Sequence, residues 1–348
     1  MLTASTPNVL VTGAGGFIGH HLVSFLKRQG AWVRGVDAKY PEYAPSDADE
    51  FQLFDLRRWE HCLEACRGME YVYALAADMG GMGFISQNHA QILHNNILIN
   101  THTLEAARES GVRRYLYTSS ACVYPEYRQL STDVVPLKEE DAYPAQPQDA
   151  YGWEKLITER LCGYYQAEYG IETRTVRFHN IFGPLGTWTG GREKAPAAIC
   201  RKVAVAKLTG NPVIEIWGDG EQTRSFCYID DCVVGLHKLM GSDYREPLNL
   251  GQDRLISINE LVALVARTAE YEVVTRHIPG PQGVRGRNSD NTLLRRVLNW
   301  TPEISLEEGI ARTYAWIEGQ VRAQLEAADD ASSSLLVAQT TSATPATA

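Results

Sequence analysis

Short apolar runs alternate with helical spacing through the first half of the chain. Four runs are predicted strands: Val9–Val11, Trp32–Val36, Tyr71–Leu75 and Tyr115–Thr118. Consecutive apolar positions are typical of strands buried on both faces of a parallel sheet. Between them, His20–Gln29 and Ile97–Ser110 carry apolar residues at helical spacing, and each segment ends next to a glycine that suits a helix end. The order of elements predicts an α/β fold with a doubly wound parallel sheet.

The second half of the chain has a looser pattern, with glycine and proline clustered after Arg177. Such segments predict loops of a smaller lobe that closes over a ligand. We expect a first domain over 1–178 with a return segment of about 223–255. We expect a smaller α/β lobe over 179–222 and 256–325. A last helix is predicted over Leu306–Leu325, and residues 326–348, rich in Ala, Ser and Thr, are predicted to be disordered.

The composition narrows the class of protein. Lysine and arginine number 33 against 42 aspartate and glutamate, a net charge of −9, so we expect no nucleic-acid partner. The seven cysteines are scattered and predict neither a metal site nor a disulfide framework, which favours a cytoplasmic location. No stretch approaches ~18 consecutive apolar residues, and the amino terminus has no signal-peptide pattern, so no membrane association is expected.

A glycine-rich segment, Thr12–Gly19, follows the first strand and opens the first helix. Gly13 is predicted to form a tight turn, Gly16 to bring backbone amides to a pyrophosphate, and Gly19 to let helix and strand pack closely. Asp37, at the end of the second strand, can accept hydrogen bonds from a ribose diol and repels a 2′-phosphate, which favours NAD over NADP. The alternative for Asp37 is an ordinary turn residue. The predicted cofactor-binding residues are Gly13, Gly15, Gly16, Phe17, Ile18, Gly19, Asp37, Asp55, Ala76, Ala77, Tyr151 and Lys155.

Tyr151 and Lys155 stand four residues apart on a predicted helix, and therefore on one face. An ammonium beside the phenol is expected to lower the pKa of Tyr151, so that it can serve as a base toward a sugar hydroxyl. Ser120 ends an upstream strand and supplies a hydroxyl to the same substrate oxygen. By itself the Tyr–Lys spacing also fits an exposed pair.

Cys122 lies two residues after Ser120. In extended backbone both side chains would point into one cavity, and a thiol can be tuned into a base near neutral pH. The alternative is a small buried apolar residue. Lys194 follows Gly190 and Gly191, whose flexibility would let its loop fold over a ligand. The alternative for Lys194 is a surface cation beside Glu193.

The glycine segment, the strand-end serine and the Tyr–Lys pair resemble, in this order, the extended short-chain dehydrogenase/reductase superfamily, over roughly Val9–Gln324. Longer segments resemble its GDP-mannose 3,5-epimerase family: Asp78–Phe84, Ser119–Glu126, Arg177–Pro184, Gly190–Ala198, Trp217–Phe226 and Gly283–Asn291. The resemblance implies that Tyr151 and Lys155 serve oxidation and re-reduction at C4 of a GDP-sugar with bound NAD. It implies that Cys122 and Lys194 are the base and the acid that exchange protons at C5 and C3.

The same resemblance implies a set of substrate-contacting residues. It comprises Gly80, Ser120, Ala121, Cys122, Asn180, Glu193, Lys194, Ala195, Lys202, Gln222, Thr223, Arg224 and Arg287. Among these, Asn180, Lys202, Arg224 and Arg287 carry donors suited to pyrophosphate oxygens. By analogy with the superfamily, a homodimer is expected, paired through Ile97–Ser110 and Tyr151–Tyr165.

Two other functions are weighed. A 4-epimerase or dehydratase of the same superfamily is the first, but a dehydratase normally carries an Asp–Glu pair where this chain has Ala121 and Cys122. A non-catalytic cofactor-binding protein is the second, and it predicts an eroded set of Ser120, Tyr151 and Lys155. That set is whole here.

Overall fold

The protein is described from a computed structural model, which covers residues 7–341, with side chains through residue 328. Fourteen strands are numbered in chain order: β1 Asn8–Thr12, β2 Trp32–Asp37, β3 Glu50–Leu53, β4 Tyr71–Ala74, β5 Arg114–Ser120, β6 Glu172–Phe178, β7 Ile181–Phe182, β8 Val213–Trp217, β9 Thr223–Arg224, β10 Cys227–Tyr228, β11 Pro247–Leu250, β12 Ile256–Ser257, β13 Val274–Ile278 and β14 Gly286–Arg287. Ten α-helices are α1 Phe17–Arg28, α2 Trp59–Cys66, α3 Met82–Ile85, α4 His89–Glu109, α5 Ala150–Tyr169, α6 Ala195–Thr209, α7 Ile229–Gly241, α8 Ile258–Thr268, α9 Thr292–Leu298 and α10 Leu306–Thr341. Short 3-10 turns occur at Ala121–Val123, Glu126–Arg128 and Glu139–Ala142.

Seven parallel strands form the large sheet in the spatial order β11-β6-β5-β4-β1-β2-β3. The chain starts at β1, builds outward through β2 and β3, and then returns to build the other side from β4. Leu10 and Val11 of β1 are fully buried, as expected for a strand covered by helices on both faces. The predicted doubly wound α/β fold is confirmed. The order in which successive strands are added to the sheet reverses between β1 and β4. Ligands of such sheets bind at this point, at the carboxyl ends of the strands.

The smaller sheets lie outside this layer. Strands β8 and β13 pair in parallel, and β9 pairs with both β12 and β14. Helices α6, α8 and α10 pack on one another beside them. The predicted return segment reaches the large sheet through β11, which pairs with β6. Thr223 and Arg224, at the predicted start of this segment, form β9 of a small sheet. The division into a first domain and a lobe over 179–222 and 256–325 stays a prediction.

Two helices differ from their predicted bounds. α4 begins at His89 rather than Ile97, because its inner face carries buried Asn95, Asn96 and Asn100, which interrupt the apolar spacing. α10 continues to Thr341, past its predicted end at Leu325, and the disorder predicted from residue 326 stays a prediction. Alanine has the highest helix propensity of the residues, and the segment is rich in it. The rest of the predicted tail, 342–348, lies outside the described residues.

No helix within residues 7–341 is both long enough and apolar enough to cross a membrane. All seven cysteines are free thiols. Over the same range, histidine, cysteine, aspartate and glutamate side chains nowhere form a group of three or more that could hold a metal ion.

Candidate active site

The glycine segment forms a tight turn between β1 and α1. Gly13 has φ +71°, and a Cβ at this position would lie 2.8 Å from the Ala76 nitrogen, so only glycine lets the turn lie against the end of β4. A Cβ on Gly19 would meet the Gly13 carbonyl oxygen at 2.1 Å, so the first turn of α1 is packed on the same loop. Thr12 Oγ1 accepts hydrogen bonds from the backbone amides of Leu75 and Ala76. This contact fixes the β4 end beside the turn.

The same turn has the form of a dinucleotide site. α1 begins at Phe17, and its N-cap residue, Gly16, supplies no side-chain cap, so the amino end of the helix can receive a phosphate. Asp37 accepts the Gly15 amide at 3.0 Å and the Lys39 amide at 3.3 Å. Burial raises the pKa of Asp37, and the backbone amides oppose this. A cleft lined by Gly15, Gly16, Phe17 and Lys39, among others, runs along this edge. These residues fit the pyrophosphate and ribose of NAD.

The surroundings of Asp55 indicate a cofactor-binding role less clearly than those of Asp37. Its carboxylate pairs with Arg57 at 2.8 Å, and the hydrogen bonds from Arg57 lower the pKa of Asp55 to about 2. The predicted contact of Asp55 with the cofactor stays a prediction.

The reactive side chains gather at the carboxyl end of β5. Ser120 ends this strand, and its Oγ accepts the Cys122 amide at 3.1 Å. Cys122 therefore sits in a 3-10 turn rather than in the extended backbone that the sequence suggested. Its side chain still reaches the cavity, where it packs with Ile85, Ile92 and Tyr151.

Gly152 brings α5 onto this turn. Asp149 caps the helix by accepting the Gly152 amide at 2.8 Å. A Cβ on Gly152 would lie 2.2 Å from the Cys122 carbonyl oxygen. The first turn of α5 is thus in backbone contact with the turn that carries Cys122, and this contact holds Tyr151 beside Ser120.

Tyr151 does not have the depressed pKa that the sequence predicted. Burial raises the pKa of Tyr151, a charge on Cys122 or Glu154 raises it further, and the hydrogen bond with Ser120 lowers it. The expectation was wrong because the phenol is 6 % exposed and burial disfavours a charged phenolate more than the neighbouring cation favours it.

Lys155 lies deeper than Tyr151, with its side chain 3 % exposed. Its Nζ donates to the Thr118 carbonyl at 3.1 Å and lies 5.5 Å from the centroid of the Tyr151 ring. Glu154, which is fully buried, approaches the same Nζ at 3.7 Å. Its two carboxylate oxygens accept the side-chain amides of Asn96 at 2.9 Å and Asn100 at 3.0 Å. A buried ammonium is therefore matched by a buried carboxylate with its own donors, as a charge in the interior requires.

Two arginines, Arg287 and Arg224, interact with Cys122. Arg287 Nη1 lies 3.3 Å from Cys122 Sγ, and Arg287 Nε donates to Gln129. Burial lowers the pKa of Arg224, and a charge on Cys122 opposes this shift. The sulfur of Cys122 is therefore within hydrogen-bonding distance of a guanidinium donor.

Lys194 faces the same cavity. It immediately precedes α6 as its N-cap residue. Burial of the amine lowers the pKa of Lys194, which negative charge on Cys122 or Cys232 would raise. A charge on Cys122 therefore acts on the Lys194 amine, and a shared role in catalysis stays a prediction.

Several of the remaining predicted substrate residues donate hydrogen bonds to the protein itself. Asn180 donates to the Ser225 carbonyl, Lys202 to the Glu215 carbonyl and Arg224 to the Thr223 and Val284 carbonyls. Thr223 donates to the Thr132 carbonyl, and Gln222 to that of Trp217. Their contacts with a substrate stay a prediction.

The other wall positions are near Lys194 or Cys122. Ala195 is the first residue of α6 and Ala121 the first of the 3-10 turn. Glu193 accepts the Gly191 amide and pairs with Arg201. Gly80 is buried against Phe84.

The sequence did not predict roles at the site for three residues, Gly152, Glu154 and Gln129. Gly152 carried a signal, since a glycine in the first turn of a helix is unfavourable without a packing reason. Glu154 stands directly before Lys155, but its burial with Asn96 and Asn100 depends on the packing of α4 on α5. Gln129 is fully buried and holds Arg287, and no local pattern indicates it.

The glycine turn, Asp37 and the set of Ser120, Tyr151 and Lys155 at the carboxyl edge of a doubly wound sheet define an NAD-dependent enzyme of the short-chain dehydrogenase/reductase class. Residues 9–251 match the NAD dependent epimerase/dehydratase family, and the chain belongs to it.

Named relatives and solved structures are similar to the chain over most of its length. The chain is 52% identical over 326 residues to a GDP-mannose 3,5-epimerase of Arabidopsis thaliana, covering 93% of this chain and 85% of the relative. GDP-mannose 3,5-epimerase 1 of Oryza sativa subsp. japonica is 52% identical over 315 residues, with coverages of 90% and 82%. In fold, the chain is similar to a UDP-glucose 4-epimerase of Thermotoga maritima solved with UDP-glucose, with a TM-score of 0.81 and 27% identity, covering 90% of this chain and 99% of that one. The resemblance seen in the sequence is confirmed.

We expect Gly152→Ala to destabilise the protein by about 1–3 kcal/mol, because the added methyl group overlaps the Cys122 carbonyl oxygen. Gly163→Ala is the matched control on the same helix. No described atom lies within 4 Å of a Cβ at Gly163, and alanine should stabilise this exposed position by about 1 kcal/mol. Urea unfolding followed by circular dichroism measures both changes. Equal effects of the two substitutions would contradict the proposed contact.

Proposed function

We propose that this chain converts GDP-α-D-mannose into GDP-β-L-galactose, with some GDP-L-gulose. The observation that supports the proposal is the packing of Cys122 against Tyr151 beside Ser120. Lys194 is close enough for a charge on Cys122 to act on its pKa. The two plant relatives, which carry the name GDP-mannose 3,5-epimerase, support the substrate. A cytoplasmic location is proposed with it, supported by seven free thiols.

Transient oxidation at C4 is the first part of the proposed reaction. The glycine turn and Asp37 would hold NAD, which would accept the hydride of C4 and return it at the end. The Tyr151 phenol receives the proton of the C4 hydroxyl, with Ser120 sharing the same oxygen. Lys155, held by Glu154, keeps a positive charge beside the phenol. The resulting ketone acidifies the C–H bonds at C3 and C5.

Proton exchange at these two carbons follows. The thiolate of Cys122 removes a proton from the carbon next to the ketone, and the electron pair of that C–H bond moves into an enolate. The ammonium of Lys194 then delivers a proton from the opposite face, which inverts the carbon. Before the second carbon reacts, the Cys122 thiol loses its proton to solvent and the Lys194 amine takes one up from solvent. Arg287 donates a hydrogen bond to the Cys122 sulfur. A lowered pKa of Lys194 makes it a stronger acid than an exposed lysine.

A 4-epimerase is the second candidate, because the Thermotoga maritima structure has that activity in its name. Its chemistry needs the redox set alone and gives no use for a thiol and an amine in the same cavity. We therefore rank it second.

We infer a homodimer as well. α5 exposes Trp153, Ile157 and Tyr164, which are 42 %, 52 % and 52 % exposed in the single chain. Trp153, Ile157 and Tyr164 stand at helical spacing on one face. Large apolar side chains grouped on a surface helix are typical of an interface, and a second copy would cover them symmetrically.

Purified protein should convert GDP-D-mannose to GDP-L-galactose without added NAD, because the cofactor is regenerated in each turnover. The products are separated by anion-exchange chromatography and assigned by NMR. UDP-glucose offered in parallel should stay unchanged. Formation of UDP-galactose with no change in GDP-mannose would replace the proposal with the 4-epimerase.

Cys122→Ala should lower the rate of product formation by about 10²–10⁴-fold, the usual worth of a general base, while the purified protein retains bound NAD. Cys62→Ser is the control, since the Cys62 thiol is buried away from the cavity and donates to the Leu56 carbonyl, a bond that a serine can keep. Steady-state rates and the NAD released on denaturation are measured. Normal turnover by Cys122→Ala would mean that the thiol only packs.

A further inference from the structure

Two glycines before Lys194 leave the conformation of the preceding loop free to vary. Gly190 and Gly191 have φ of +88° and +84°, and no described atom lies within 4 Å of a Cβ built on either. Glycine in open space leaves many conformations accessible. The position of Lys194 therefore depends on contacts that the next residues make with other parts of the protein.

Arg192 and Glu193 provide such contacts through the backbone. The Gly81 amide donates to the Arg192 carbonyl at 3.0 Å. A Cβ on Gly81 would lie 2.5 Å from the Glu193 carbonyl oxygen, so the two chains approach as closely as glycine permits. The loop before α6 is thus fastened to the residues just before α3.

The Arg192 side chain strengthens this attachment. Its guanidinium carbon lies 3.8 Å from the centroid of the Phe84 ring, well within the range of a cation–π contact. Its Nη1 lies 3.4 Å from Asp78 Oδ1. The guanidinium is therefore held by an aromatic face and a carboxylate at once.

Asp78 is a rigid partner for this cation. Its Oδ2 accepts the side-chain amides of Gln91 at 3.0 Å and Asn95 at 2.9 Å, and its backbone amide donates to Asn96 at 2.6 Å. All three partners lie on α4. An ion pair on the surface alone contributes little to stability. Here, however, hydrogen bonds from α4 hold the Asp78 carboxylate in place independently of Arg192.

We propose that Arg192 is a positioning residue for proton exchange. Through Asp78 and Phe84 it holds Lys194, two residues further on, over the side of the cavity opposite Cys122. The inference rests on the proposed function. Arg192 acts through Lys194, not on the sugar, and it has no part in the redox set of Ser120, Tyr151 and Lys155. Loss of its side chain should therefore impair proton exchange without impairing oxidation at C4.

Arg192→Ala in the complete enzyme tests this separation of steps. Oxidation is followed by the absorbance of enzyme-bound reduced nicotinamide after rapid mixing with GDP-mannose. Exchange is followed by deuterium uptake from heavy water into C3 and C5. We expect exchange to slow by about 10–100-fold, the scale of a misplaced catalytic group, and oxidation to stay within about twofold. Arg192→Lys, which keeps the charge toward Asp78 without the planar contact, should recover part of the exchange rate.

Arg322→Ala is the control, because Arg322 forms an exposed ion pair on α10, and both steps should keep their rates. Equal loss of oxidation and exchange in Arg192→Ala would make the role merely structural and overturn the proposal. Unchanged exchange would make Arg192 a surface cation and overturn it too, while the proposed function stands. No exchange by the wild-type enzyme would overturn both.

Discussion

The buried ammonium of Lys155 is the constraint on which the site depends. A charge in the interior is tolerated only when an opposite charge and hydrogen-bond partners surround it. Glu154 supplies the charge, the Thr118 carbonyl accepts from Nζ, and two asparagines of α4 saturate the carboxylate. The need to neutralise this charge therefore explains the polar inner face of α4, the position of α5 and the end of β5. Tyr151 lies beside the cation on the same helix as Lys155.

Glycines then bring the other walls to the cavity. Gly152 puts α5 in backbone contact with the turn of Cys122, Gly13 puts the dinucleotide turn against the end of β4, and Gly81 puts the residues before α3 against the loop of Lys194. In each case a side chain would separate two elements by more than catalysis tolerates. Cofactor turn, thiol and amine thus come from distant parts of the chain to the carboxyl edge of one sheet. This is where a ligand of a doubly wound fold is expected.

Much of this was predictable from local sequence. The apolar runs of β1, β2, β4 and β5 identify a parallel sheet, and the spacing of Tyr151 and Lys155 puts them on one helix face. Long-range packing was not predictable. The start of α4 was missed because its buried asparagines look like surface residues, and the pKa of Tyr151 moves up because burial outweighs its neighbour. Donors such as Lys202 and Arg224 were expected to face a diphosphate, and they also bind backbone carbonyls that no local pattern places nearby.

The central claim is that a ketone at C4 makes the hydrogens at C3 and C5 exchangeable with solvent. Incubation of the wild-type enzyme with GDP-mannose in heavy water, read by mass spectrometry and NMR, tests it most directly. The account predicts product with deuterium at both C3 and C5 and with the original hydrogen at C4. Product without deuterium at either carbon would contradict it.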